Sequence, residues 1–231
     1  MSTALVIAHR GASATFPENT IEAFLGAAEH GADWVELDAR RTADGGLVVH
    51  HDAHLPDGRA IVELEAPELP ASVPTLAAAL DACEGMGVNI EIKNDHPDPD
   101  LDEWVAEATV ALLAERGGRD EVLISSFNPA TLVRIRERAP HLATALLVIE
   151  PTEDVVEVVV AAGHSALHPY DWFVDIELIT RCHAAGVAVN VWTVDDPERM
   201  AELLAHGVDG LCTNVPHLAR GLVDEGGTSL F

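Results

Sequence analysis

The sequence has few basic residues, and lysine is almost absent from it. Asp and Glu number 39 against 13 Lys and Arg, a formal net charge of −26, and Lys93 is the only lysine among 231 residues. Such an acidic chain repels the phosphates of nucleic acids and of anionic membrane surfaces, so neither is an expected partner. The rarity of lysine favours a functional role for Lys93, with a salt bridge to Glu91 or Asp95 as the alternative.

Cysteines and long apolar runs are also scarce. The three cysteines, Cys83, Cys182 and Cys212, are odd in number and lie far apart among apolar neighbours. This pattern is typical of reduced core thiols and argues against a disulfide or zinc framework. No run approaches the roughly 18 apolar residues of a membrane span, and the first residues do not resemble a signal peptide. We therefore expect a cytoplasmic protein without stable membrane association.

The chain does contain a regular alternation of short apolar runs with helical stretches, and no linker divides it, so a single domain over residues 1–231 is predicted. The predicted strands are 4–8, 33–38, 88–92, 122–126, 143–148, 164–168, 187–192 and 208–213. The predicted helices are 21–30, 75–85, 101–116, 129–139, 153–162, 176–185 and 197–206. Eight such repeats predict an α/β fold of the TIM (β/α)8 barrel type.

One further apolar run, residues 47–49, follows the second strand too closely for a parallel crossover, which needs about a dozen residues. Asp44-Gly45-Gly46 before it is typical of a tight turn, so an antiparallel hairpin is predicted. The returning strand would bring His51 to the barrel mouth. Residues 39–74 are thus predicted to be a short insertion, with a loop over 57–72.

Acidic side chains end two neighbouring predicted strands. Residues two apart in a strand share a face, so Glu36 and Asp38 should point the same way, as should Glu91 and Lys93. Three carboxylates without a neighbouring cysteine predict a site for a hard divalent cation, Mg²⁺ or Ca²⁺. The alternative is neutralisation by basic side chains, for which the candidates are Arg10, Arg40 and Lys93.

Two histidines and two cations complete the candidate site. His9 and His51 are the candidate acid and base, because imidazole titrates near neutral pH. Arg10 offers forked hydrogen bonds and Lys93 a point charge, a combination suited to holding a phosphate. Together with a cation they would stabilise charge on phosphoryl oxygens during phosphodiester cleavage.

These groups belong to an ordered series of motifs that resembles the glycerophosphodiester phosphodiesterase family. The motifs are His9-Arg10-Gly11, Pro17-Glu18-Asn19-Thr20, Glu36-Leu37-Asp38, His51-Asp52, Glu91-Ile92-Lys93, Ser126-Phe127, Trp192-Thr193 and Gly207-Val208-Asp209-Gly210. The resemblance implies a TIM barrel and metal-dependent hydrolysis of small glycerophosphodiesters to glycerol 3-phosphate and an alcohol. It also implies site roles: the metal ligands are Glu36, Asp38 and Glu91, the base His9, the acid His51, and the phosphate contacts Arg10 and Lys93.

Three residues at later strand ends are expected to line the glycerol or leaving-group side of the pocket: Phe127, His168 and Trp192. Core packing is the alternative for the two aromatic residues, and a loop-supporting hydrogen bond is the alternative for His168. The chain departs from the family after His51-Asp52, where a Leu-Asp-Arg-Thr-Thr-like stretch is replaced by residues 53–59. The leaving-group preference therefore stays open.

Two other functions fit the sequence less well. A related phospholipase acting on lipid headgroups needs an apolar or basic rim, and a chain at −26 with 4% aromatic residues offers little material for one. A catalytically silent phosphate-binding barrel should have lost a histidine or a metal ligand, and none is missing. The sequence therefore favours an enzyme acting on a small-molecule diester.

Overall fold

Eight parallel strands form a closed barrel in the computed structural model, which describes residues 4–93 and 99–228. With one extra antiparallel strand, β3, the described residues form nine strands: β1 (Leu5–His9), β2 (Trp34–Arg41), β3 (Leu47–Val49), β4 (Gly87–Ile92), β5 (Val122–Ser126), β6 (Ala143–Val148), β7 (Ala166–Pro169), β8 (Ala188–Val191) and β9 (Gly210–Thr213). Their order is β1-β9-β8-β7-β6-β5-β4-β2-β3, and pairing of β1 with β2 closes the ring. The predicted TIM barrel is confirmed.

Helices follow the barrel strands and surround them. They are α1 (Ile21–Glu29), α2 (Leu76–Ala82), α3 (Pro99–Glu115), α4 (Pro129–Arg138), α5 (Val155–Ala162), α6 (Ile176–Ala184), α7 (Pro197–His206) and α8 (Pro216–Thr228). Seven were predicted, whereas α8 was missed. Gly221 and Gly226 lie within α8 and each lowers helix propensity by about 1 kcal/mol relative to alanine, but buried Ala219 and Val223 hold the helix against the barrel.

The extra strand β3 forms the predicted hairpin. It pairs antiparallel with β2, with Ala39 opposite Val49 and Arg41 opposite Leu47. The hairpin lengthens β2 to Arg41, so the first residues of the predicted insertion belong to a barrel strand. Two short 3₁₀ turns, Ile61–Glu63 and Ala66–Glu68, interrupt the region predicted as loop.

Thr20, rather than its neighbour Asn19, caps the amino end of helix α1. The hydroxyl of Thr20 accepts a hydrogen bond from the main-chain amide of Ala23 at 3.3 Å, as a helix cap does. Asn19 adopts a positive φ of 58° and its side chain is free to turn into the barrel mouth.

Strand alternation separates core from site. On β2, Val35, Leu37 and Ala39 pack against the surrounding helices, whereas Glu36 and Asp38 take the opposite face, as predicted. No helix within the described ranges is long and apolar enough to cross a bilayer.

Candidate active site

A cavity of about 190 Å³ opens at the carboxyl ends of the barrel strands. It is lined by nine of the ten predicted site residues: His9, Arg10, Glu36, His51, Glu91, Lys93, Phe127, His168 and Trp192. The tenth, Asp38, is fully buried and lies against Lys93, with its Oδ1 2.9 Å from the Nζ of that lysine. Residues from positions 9 to 192 are thus brought to one mouth, because the carboxyl ends of parallel strands share one end of a barrel.

Three carboxylates form a buried cluster. Asp38 of β2 lies opposite Glu91 of β4 in the strand register, and Glu36 precedes Asp38 on the same face. Each offers one oxygen such that all three oxygens lie within 4.8 Å of one another. No other group of this kind occurs in the described part of the chain.

Two cations contact this carboxylate cluster. The Lys93 ammonium lies 2.9 Å from Asp38 and 2.7 Å from Glu91, and the Arg10 Nε lies 3.4 Å from Asp38 Oδ2. Lys93 therefore faces the cavity and also forms the predicted salt bridge to Glu91. Asp95, its other predicted partner, lies outside the described residues.

The remaining candidate cation, Arg40, serves the hairpin. Its guanidinium donates to the main-chain carbonyl oxygens of His50 and His51, with Nε at 3.1 Å and 3.0 Å. These bonds tie the segment that carries His51 to β2. Arg40 therefore fixes the position of a candidate catalytic histidine.

The three carboxyls of the cluster differ in the direction of their pKa shifts. Burial, with the charges of Asp38 and Glu91, raises the pKa of Glu36 well above its usual range. Burial and the charge of Asp38 raise the pKa of Glu91 to about 7. Burial also acts to raise the pKa of Asp38, but Lys93 and Arg10 outweigh it and the pKa is lowered. Asp38 is thus the carboxyl that the two cations keep ionised, whereas Glu36 and Glu91 hold a proton more readily than an exposed glutamate does.

His9 ends β1 with its ring in the cavity. Its Nδ1 lies 2.8 Å from the Asn214 side-chain oxygen, and its Nε2 lies 4.0 Å from Glu36 Oε2. Burial, followed by the charge of Arg10, lowers the pKa of His9. The ring is therefore neutral near pH 7 and can accept a proton.

His51 follows β3 and is more exposed, with 34% of its side-chain surface accessible. Its Nδ1 lies 2.8 Å from a carboxylate oxygen of Asp52. This hydrogen bond lowers the pKa of Asp52, so a charged carboxylate is held beside the ring. This contact fixes the orientation of the His51 ring.

The three predicted pocket residues occupy the other side of the mouth. Phe127 and Trp192 meet edge to face, with ring centroids 5.5 Å apart, and Phe127 is 43% exposed. Phe127 therefore lines the cavity and is not a residue of the hydrophobic core. His168 is buried, its Nε2 accepts from the amide of Asn190 at 2.9 Å, and burial lowers its pKa to about 3. Its bond is thus to a barrel strand rather than to a loop.

An exposed aromatic ridge extends outward from this pair. It consists of Phe127, Trp192, Tyr170, Phe173 and Trp172, half of the chain's ten Phe, Tyr and Trp residues. Tyr170 lies 5.3 Å from Trp192 and 6.5 Å from Phe173 between ring centroids, and Trp172 is 82% exposed. The expectation that the chain has little material for an apolar rim is wrong, because the few aromatic residues are concentrated at the mouth.

Sequence reasoning missed several polar residues of the site. Asn19 donates to Asp38 at 2.7 Å, Asn89 and Asn190 line the cavity, and Asn214 contacts His9. Asn89 and Asn190 could have been predicted from the alternation of side chains along β4 and β8, which turns every second residue toward the barrel interior. Cys212 also lines the cavity, so a cysteine does lie near the carboxylates in space. Burial and Glu36 raise the pKa of its thiol well above the usual range, which keeps it protonated.

Fold and site together define a barrel hydrolase of phosphate esters. A family model described as the glycerophosphoryl diester phosphodiesterase family matches residues 9–218. The chain belongs to this family, whose members are phosphoric diester hydrolases.

Individual relatives agree with the family model over nearly the whole chain. A glycerophosphodiester phosphodiesterase of Caldanaerobacter subterraneus subsp. tengcongensis is 35% identical, covering 96% of this chain and 99% of the relative. One of Bacillus altitudinis is 30% identical, covering 95% and 98%.

Solved structures give the same result. A phosphodiesterase of Oleispira antarctica in complex with the product sn-glycerol-3-phosphate is 29% identical, with a TM-score of 0.89 and coverage of 95% of this chain and 96% of that one. A glycerophosphodiester phosphodiesterase of Thermotoga maritima is 28% identical, with a TM-score of 0.83 and coverage of 96% and 99%. The similarity thus covers at least 95% of this chain in each of these comparisons.

Proposed function

We propose that the chain hydrolyses glycerophosphodiesters to glycerol 3-phosphate and an alcohol, using a divalent cation and the two histidines. The observation that carries the proposal is one cavity joining a carboxylate cluster, two cations and two imidazoles. The product complex of the Oleispira antarctica relative supports a small-molecule substrate. The three free, buried cysteines support the proposed cytoplasmic location, where thiols stay reduced.

The carboxylate cluster is proposed to hold the cation. Its donors Glu36, Asp38 and Glu91 are all hard oxygens, which suits Mg²⁺ or Ca²⁺. Burial raises the pKa values of Glu36 and Glu91, so their ionised forms cost free energy in the metal-free protein. A bound divalent cation would offset this cost, which supports the fit. A bound divalent cation supplies Lewis-acid polarisation of the phosphoryl oxygens.

Arg10 and Lys93 are proposed to bind the phosphate. Both reach the cavity while paired with the carboxylate cluster, so their charge lies where the phosphate oxygens would lie. Positive charge fixed before the reaction stabilises the extra charge that develops on these oxygens. The two side chains thus orient the diester and favour its transition state.

His9 and His51 are proposed to move the protons. His9, neutral because burial lowers its pKa, takes the proton of the nucleophile, which is either a glycerol hydroxyl of the substrate or a water. His51, held against Asp52, gives a proton to the leaving alcohol oxygen as its bond to phosphorus breaks. With water as the nucleophile, glycerol 3-phosphate forms directly, and exchange of protons with solvent restores the pair. With the glycerol hydroxyl, the first step gives a cyclic phosphate. A water then opens this ring, as His51 takes the proton of the water and His9 returns its proton to the glycerol oxygen, so both histidines are restored.

The leaving alcohol is proposed to lie toward Phe127, His168 and Trp192. The aromatic ridge that continues from them is the one observation that favours a second candidate function, hydrolysis of lipid headgroups, because exposed aromatic side chains suit a lipid interface. The net charge of −26 restricts that candidate to membranes without anionic lipid.

The test is release of glycerol 3-phosphate from glycerophosphocholine by metal-stripped protein, before and after addition of Mg²⁺ or Ca²⁺. We expect activity only with a cation, and a loss of at least about a hundredfold in His51→Ala. The matched control is His54→Ala, an exposed histidine three residues away, which should keep full activity. Turnover of phosphatidylcholine vesicles without turnover of the soluble diester would favour the second candidate. No activity on either substrate with any cation would refute the proposal.

A further inference from the structure

A chain of hydrogen bonds leads from the protein scaffold to the ring of His9. Asn214 presents its side-chain oxygen to His9 Nδ1 at 2.8 Å and its side-chain nitrogen to Asp195 Oδ2 at 2.6 Å. Asp195 is itself fixed, since its Oδ1 accepts from the Asn214 main-chain amide at 2.8 Å and from the Thr213 hydroxyl at 2.9 Å. Asp195, Thr213 and Asn214 all lie outside the family motifs noted in the sequence.

Donor and acceptor chemistry fixes every link of this chain. A carboxylate only accepts hydrogen bonds, so the Asn214 group facing Asp195 must be the NH₂. The Asn214 group facing His9 is then the carbonyl oxygen, which also only accepts. His9 Nδ1 must therefore carry a hydrogen and donate it.

The hydroxyl of Ser13 also lies at this link. Its Oγ lies 2.8 Å from the Asn214 side-chain oxygen and 2.7 Å from the main-chain oxygen of His9. Its single hydrogen can be donated to either oxygen, so Ser13 is compatible with the amide orientation that Asp195 sets.

We propose that Asn214, oriented by Asp195, is a positioning residue that holds His9 in the Nδ1–H tautomer, so that the Nε2 lone pair faces the cavity to accept the proton of the nucleophile. This inference rests on the proposed function in taking His9 as the base. The distance of 4.0 Å from Nε2 to Glu36 is too long for a hydrogen bond, which leaves the lone pair available.

The test exchanges the two side chains. Asp195→Asn and Asn214→Asp each preserve the side-chain shape but disrupt the hydrogen bond between residues 195 and 214. In Asp195→Asn, the NH₂ group of the new amide meets a donor at every position that the carboxylate oxygens held. In Asn214→Asp, two carboxylates face each other and repel. In Asp195→Asn/Asn214→Asp the NH₂ lies at 195 and the acceptor at 214, so an oxygen again accepts from His9. We expect each single variant to lose at least about tenfold in kcat, with KM changed less than about threefold, and the double variant to recover most of the loss.

A packing role would not produce this pattern, because all three variants are isosteric. A double variant that is folded but no more active than the single variants would overturn the proposal, as would single variants with unchanged kcat. A second measurement does not depend on activity: the tautomer of His9 is determined from the ¹⁵N NMR spectrum of metal-free wild-type protein. The His9 signals are assigned by their loss in His9→Gln. We expect Nδ1 to carry the hydrogen and Nε2 to carry none. The opposite tautomer would overturn the inference even in an active enzyme, whereas the expected tautomer in an inactive protein would count against the proposed function alone.

Discussion

Replacing Glu91 by glutamine should stabilise the metal-free protein at alkaline pH. Glu91 has a pKa of about 7 instead of the usual 4.5, because it is buried beside Asp38. The folded state thus binds more protons than the unfolded state between these two values, so stability falls as pH rises through that window. At ~1.4 kcal/mol per pH unit, ionising Glu91 costs the folded protein about 3 kcal/mol by pH 8.

Glutamine keeps the shape of Glu91 and an oxygen for Lys93, but it carries no charge. We therefore expect Glu91→Gln to equal wild type near pH 4.5 and to exceed it by about 2–3 kcal/mol at pH 8 in EDTA, measured by urea unfolding. Glu84→Gln, at an exposed glutamate outside the mouth, controls for the loss of one unit of net charge. Added Mg²⁺ should stabilise wild type far more than Glu91→Gln. A variant less stable than wild type at pH 8 in EDTA would show that the site is balanced without a metal, and the reasoning would fail.

Three further predictions concern the scaffold. Phe24→Ala, at a fully buried position, should lower the free energy of unfolding by about 3–5 kcal/mol. Trp172→Ala, at an exposed position, should change it by less than about 0.5 kcal/mol. Equal effects of the two variants in urea unfolding would contradict the packing described. Gly11→Ala should cost about 1–3 kcal/mol, since Gly11 has a φ of +82° and an added Cβ would lie 2.6 Å from main-chain atoms of Ala23; stability equal to wild type would refute the clash. All three thiols should resist an aromatic disulfide reagent in the native protein and react in urea, because burial raises their pKa values, and rapid native labelling would contradict it. The thiols are those of Cys83, Cys182 and Cys212.

The sequence predicted most of the barrel because alternation of apolar runs and helices is a local signal. It failed where local signals conflict with packing: α8 contains glycines yet forms against β1, and β2 continues to Arg41 because β3 pairs with it. The charged site residues could be predicted because each ends a strand and carries distinctive chemistry.

The asparagines of the site could not be predicted in the same way. Asn214 is 205 residues from His9 along the chain, and an amide has no preferred role that its sequence position reveals. Asn19 belongs to a family motif, but only the fold shows that its side chain donates to Asp38 while Thr20 caps the helix. Both asparagines reach their partners only when the barrel has closed, and no local sequence pattern encodes that closure.

Closure of the barrel also sets the order in which the site can be assembled during synthesis. The carboxylate cluster comes from β2 and β4, adjacent strands that leave the ribosome early and pair with each other. His9 leaves earlier still, but its partner Asn214 follows β9, which must pair with β1 before the two meet. A nascent chain can therefore gather its carboxylates long before it holds the proposed base in place, and the proposed chemistry then requires that the last strand has joined the first.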